Sequence, residues 1–252
     1  MSRRVPRATL CQNIGTMGQH FEIYPLEADS FEADVRVLIQ NTLRGALDQL
    51  SGAARAELTA IETALKKTTD DEAQDHLVDE HVDVLAQGLS QQRFLRNMAL
   101  VALASRLTHA LRRMARTAEH FRPRKKSYGR DSEFEQLWRE YTDRFSIDFS
   151  ANAPRIAFVE PMRKVRNRIV HDGAEANGWN SSTIESLQRG EGPILDTSFS
   201  EAYPEFVAGE GWDAEVVVSQ EQIDSMCDAA VAVVRWLATE LDTQDRSAAG
   251  AI

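Results

Sequence analysis

An arginine, the asparagine beside it and a histidine four positions on are the residues of this chain best suited to act on a phosphate ester. They stand in "KVRNRIVHDG" as Arg166, Asn167 and His171. A guanidinium offers phosphate oxygens a planar fork, an imidazole exchanges protons near neutral pH, and a carboxamide can orient either one. Asn167 and His171 are about one helical turn apart, so on a helix they stack on the same face. Measured around the axis from Val165, they project at about 200° and about 240°, while the apolar stripe of Phe158, Met162, Val165 and Ile169 centres near 30°. The imidazole is therefore expected to point away from the core, with Arg166 between its face and the apolar stripe. Gly173 follows where a left-handed backbone ends a helix at little cost, which puts His171 in the last turn. Histidine and glycine are also an ordinary helix ending that requires no chemistry, and that plainer reading stands beside the functional one.

The elements that must hold these residues are helices. "FEADVRVLIQNTLRGALDQLSGAARAELTAIETALKK" repeats apolar residues at three and four, which predicts two helices or one bent helix over about residues 30–67. The first thirty residues show no clear period and are expected to be an irregular lead-in. From Ser90 the pattern strengthens, and Leu107, Leu111, Met114, Ala118 and Phe121 draw one stripe on a long helix that ends near "FRPRKKSYG". "DSEFEQLWREYTDRF" predicts another helix, and the segment bearing the motif follows it, with Pro161 at a kink or in a first turn. Residues 189–213 are rich in Gly and Pro and read as a long loop, with "AEVVV" a plausible strand. Ser219 and Gln222 have capping-box spacing for a last helix that buries Ile223, Met226, Cys227, Ala230, Val231, Val234, Ala238 and Leu241. The expected organisation is an acidic N-terminal helical region over 1–90, a helical domain over 91–243 and a disordered tail over 244–252.

Charge narrows the partners. The 252-residue chain has a formal net charge of -10, which argues against indiscriminate coating of nucleic acid, since the summed field repels phosphate. Between Arg93 and Arg130, however, eleven Lys and Arg face a single acid, Glu119. Such a segment is either a local place for a polyanion or a set of solvated basic faces. No run of apolar residues is long enough to span a membrane, and "MSRRVPRATL" lacks the apolar stretch of a signal peptide, so a cytoplasmic protein is expected. Cys11 and Cys227 lie far apart without metal-ligand spacing, and Cys227 fits a core stripe. No cofactor and no metal is expected.

"RNRIVHDG", with a helix before it and a loop and closing helix after it, resembles the HEPN superfamily, whose signature is an arginine, four to six residues, then a histidine. Arg166, Asn167 and His171 match that pattern with the four-residue spacing, and helix order extends the resemblance over about residues 91–243. The resemblance implies an all-α, HEPN-like helical bundle with an N-terminal helical extension and a small loop or β insertion before the last helix. It implies a metal-independent ribonuclease of toxin or antiphage defence systems, usually a homodimer whose two motifs face across a cleft. Other members are inactive modules that bind RNA or a protein partner, such as a nucleotidyltransferase-type antitoxin. Arg166, Asn167 and His171 would be the catalytic set, and Arg163, Lys164, Arg168, Arg112, Arg113 and Arg116 would hold the RNA backbone. Where many family members carry an acid on the first core helix, this chain offers Ser105, Thr108 and His109.

Other signals favour plainer readings. His76 and His81 sit among acids at a spacing that does not share a helical face, which suits a solvated helix better than a metal site. His109 and His120 lie on or near the basic helix without a partner pattern. The glycines of "GEGPILDTSFSEAYPEFVAGEG" lack the strand and helix of a phosphate-cradling loop. Trp138, Trp179, Trp212 and Trp236 read as anchors of core or loop rather than base-stacking platforms. A helical scaffold without catalysis remains a third reading.

Overall fold

A computed structural model describes residues 23–119, 133–176, 178–179 and 195–249. The described chain is an all-α bundle with two small two-stranded β pairs. Helix begins at Ile23 and not near residue 30: α1 (Ile23–Asp34) passes through a π-helical stretch (Val35–Asn41) into α2 (Thr42–Leu65) without a break. Tyr24, Ala28, Phe31, Val35, Ile39 and Leu43 are all buried along it, so the first turns supply core residues that the N-terminal reading missed. Ser51 and Gly52 do not interrupt the helix.

α3 (Asp71–Glu119) is one helix of 49 residues. Asp70 caps it, its Oδ2 accepting from the Ala73 N–H at 3.0 Å, and Asp71 and Glu72 suit the positive end of the helix dipole. The division expected after residue 90 falls inside this helix, because the acidic amphipathic pattern before Ser90 and the strong one after it share one uninterrupted backbone. α1 belongs to the same core as the C-terminal helices, so the N-terminal region is not a separate domain. Glu27 pairs with Arg113 and Asp34 with Arg106 at 3.0 Å, while Ser51 accepts from Gln92 at 3.4 Å, which sets α1 and α2 antiparallel to α3.

α4 (Glu133–Arg139) and a π turn (Glu140–Arg144) bring aromatic rings onto α3. Tyr141 donates its buried hydroxyl to the Leu111 carbonyl at 2.8 Å, and Trp138 stacks on Phe149 with centroids 4.1 Å apart. Phe149 in turn meets Trp236 edge to face. After the short α5 (Ala153–Ile156) comes α6 (Val159–His171), which carries the motif. Pro161 lies in its first turn, where the missing N–H costs no helical bond. Beyond α6 lie β1 (Gly178–Trp179), β2 (Leu195–Asp196), α7 (Ser198–Ala202), β3 (Val207–Ala208) and β4 (Glu215–Val216), the small insertion expected before the last helix.

α8 (Gln220–Ala249) closes the bundle. Its start is the expected reciprocal cap: the Ser219 hydroxyl accepts from the Gln222 N–H at 3.0 Å, and the Gln222 side chain accepts from the Ser219 N–H at 2.8 Å. Ser219→Ala should cost about 1 kcal/mol, read as a lower urea midpoint with an unchanged slope. The helix continues to Ala249, so the disordered tail expected from residue 244 is helical that far; Tyr24 donates to Asp245 at 2.8 Å and gives this end a tertiary contact. Cys227 is buried as expected, and burial raises its thiol pKa to about 12.

Asp224 fastens α8 to the start of α2. Burial works against its charge, but hydrogen bonds from Arg44 at 2.9 Å and Gln40 at 3.2 Å outweigh it and leave the carboxyl below its ordinary range. A depressed carboxyl contributes stability above its unfolded pKa and loses it as pH falls through the folded value. Asp224→Asn should therefore lower stability at neutral pH and flatten the acid limb below about pH 4 in a thermal-melt series.

Candidate functional site

α6 is oriented by its apolar stripe. Val159, Met162, Val165 and Ile169 are buried, which turns Asn167 and His171 outward as the spacing predicts. His171 is exposed in the last turn, and Gly173 takes the left-handed backbone expected of it, with φ 63°. Ala174 follows at φ 70°, a conformation with a steric cost for any residue with a Cβ. It is held there by its N–H donating to the Arg168 carbonyl at 3.1 Å and its carbonyl accepting from the Val216 N–H at 2.7 Å.

The three motif side chains come together within one subunit. Arg166 Nη1 donates to Asn167 Oδ1 at 3.0 Å and lies 3.5 Å from His171 Nε2. A guanidinium only donates, so a hydrogen bond here requires Nε2 to offer its lone pair, with the ring proton on Nδ1. The carboxamide thus anchors the arginine, and the arginine faces the nitrogen that would act as a base.

A cleft of about 500 Å³ opens beside Asn167, lined by Glu160, Lys164, Arg168, Asp172, Phe199 and Tyr203 among others. Lys164 is exposed at its edge. Arg168 is engaged: it bonds Asp172 at 3.2 Å and its guanidinium lies 5.4 Å from the centre of the Phe199 ring, so it ties α7 to the end of α6. Burial and Glu160 raise the Tyr203 phenol above its ordinary pKa while Arg163 opposes them, leaving a neutral donor at the cleft. Arg163 is half-buried. Phe199 and Tyr203 escape sequence reasoning because the chain returns to α6 only after a long insertion, and no local spacing records that return.

Arg112, Arg113 and Arg116 do not line this cleft. β4 ties the exit of α6 to one level of α3: Glu215 bridges to Glu175 and pairs with Arg93, and Asn97 donates to the Val216 carbonyl at 3.5 Å. Arg112 follows Asn97 by about four turns, or about 22 Å. Arg113 is moreover paired with Glu27. Ser105 and His109 are exposed, and Thr108 donates to the Ala104 carbonyl at 2.8 Å. His76 is exposed and His81 half-buried on α3, and no cluster of metal-ligating side chains occurs among the described residues. Trp138 and Trp236 are half-buried anchors around Phe149. Cys11, His120, the basic loop 123–129 and the side chains of Trp179 and Trp212 lie outside the described residues.

Among the described residues no helix is long and apolar enough to cross a membrane. Compared with protein-family models, with curated proteins and with solved structures, the chain has no match in any of the three.

Proposed function

We propose that this chain is a cytoplasmic, metal-independent endoribonuclease of the HEPN type, in the toxin or defence setting that the motif's resemblance implies. The observation that carries the reading is the 3.5 Å approach of Arg166 to an exposed His171, with Asn167 holding the arginine. A bound phosphate would draw the guanidinium onto its own oxygens and free Nε2. The imidazole then takes the proton of the RNA 2′-hydroxyl as that oxygen bonds to phosphorus. The bond from phosphorus to the 5′-oxygen breaks, and the leaving oxygen takes a proton from the imidazolium or from water. Arg166 stabilises charge on the non-bridging oxygens throughout. Lys164 sits within reach of an adjoining phosphate.

A second reading has its own support. Glu160 and Asp172 line the cleft, and Arg112, Arg113 and Arg116 do not, which suits a silent module that binds a protein partner, such as an antitoxin, or RNA. Incubation of RNA with the protein in excess chelator separates the two. Cleavage leaving 2′,3′-cyclic phosphate ends supports the nuclease; intact RNA at high protein concentration overturns it. Salt-sensitive RNA binding without cleavage identifies the silent module.

A further inference from the structure

α2 and the first half of α3 form an arm of two antiparallel helices. Leu47, Ser51, Ala54, Leu58 and Ile61 on α2 alternate steps of four and three, as Leu77, His81, Val84 and Gly88 do on α3, and these partly or fully buried positions make the seam. α3 carries a second stripe on its flank. Val78, Val82, Leu85 and Leu89 are 50%, 57%, 45% and 64% exposed.

That stripe has the bearing of the bundle's own core. Eighteen residues are five whole turns, so Val82, Leu85 and Leu89 point in the same direction around the axis as Leu100, Leu103 and Leu107. The latter three are 0% exposed. One apolar line thus runs along α3, covered within the bundle and bare along the arm. The change comes at Arg93 to Asn97, where β4 makes its contacts with α3.

Charge indicates what covers the bare part. On the same bearing, Asp71 and Asp75 stand at the arm's tip and Arg93 and Arg96 at its root. A parallel second arm would set acids on acids. An antiparallel one, centred between Asp83 and Val84, sets Val78 on Leu89, Val82 on Leu85, and Asp71 of one copy on Arg96 of the other. Arg93 already shares its charge with Glu215, but the partner Arg96 shows is the neutral amide of Gln92, at 3.1 Å. The pairing ends at Arg96, within the level from Arg93 to Asn97 at which β4 meets α3, so the two bundles lie at opposite ends of the paired arms. We infer that the arm is a dimerisation element, which packs antiparallel against the arm of a second copy of this chain through Val78, Val82, Leu85 and Leu89.

This interface is independent of the nuclease reading. The α6 exit lies level with Asn97, about 20 Å from the centre of the pairing, so the two His171 side chains would be about 40 Å apart along the rod. They would not share a cleft through this contact.

Light scattering on the eluting full chain should give twice 28.2 kDa, falling towards the monomer on dilution. Val82→Lys with Leu85→Lys should yield monomer with an unchanged circular dichroism spectrum, since both positions are exposed. Arg96→Asp should weaken the dimer about tenfold or more, and adding Asp71→Arg should restore it, because the reversed pair re-forms between copies. Spin labels at Glu175→Cys, in a Cys11→Ser background, should report a separation near 40 Å. A monomer at every concentration, a dimer indifferent to the lysine pair, or labels in close proximity would overturn the inference.

Discussion

His171→Ala should slow RNA cleavage by about a thousandfold, the middle of the range for loss of a general acid–base group. Its stability should stay within about 0.5 kcal/mol of the parent, because the imidazole is exposed and fills no core volume. Arg166 gives the companion result. Arg166→Lys keeps the charge but loses the planar fork and the contact with Asn167, so it should recover only a small part of the rate lost in Arg166→Ala. Asn167→Ala should be milder, since it removes an anchor rather than a reacting group. Single-turnover cleavage in chelator, set beside thermal melts, checks all four variants. Full activity in the histidine variant would sink the assignment of this residue.

The largest expected effect on stability comes from α3. Leu107→Ala should cost about 2–5 kcal/mol, combining lost burial with the cavity left in a packed core. Leu89→Ala, with the same residue type and the same bearing five turns earlier, should cost under about 0.5 kcal/mol in the isolated subunit. The contrast is one of cover: Leu107 is 0% exposed and Leu89 64%. Urea unfolding at low protein concentration measures both, and equal costs would show that the arm is packed where the structure leaves it bare.

That comparison also marks what local pattern could reveal. Periodicity located α6, its outward Asn167 and His171, the left-handed Gly173, and the Ser219–Gln222 cap, because each depends on neighbours three to five residues away. It did not locate the start of α1, because Tyr24 and Ala28 add only two apolar positions to the repeat that Phe31, Val35, Ile39 and Leu43 continue, and their cover comes from α3 and α8. It also placed a boundary after residue 90, because composition changes there while the helix does not. Tyr203 and Phe199 reach the motif through a long insertion, and a contact of that range leaves no trace in spacing. The apolar line from Val78 to Leu107 was readable as a period, but which half would be bare was not, since cover is supplied by α6, α8 and β4.

A 49-residue helix is about 74 Å of stiff rod, with no loop between its tip and its root. Torque or a sideways load applied at Asp71 is therefore delivered to the layer of Leu100 and Leu103 with little loss. Through Asn97 and β4 the same load reaches the strained turn at Ala174 that seats the histidine. The arm is mechanically a lever whose fulcrum lies beside Arg166, Asn167 and His171.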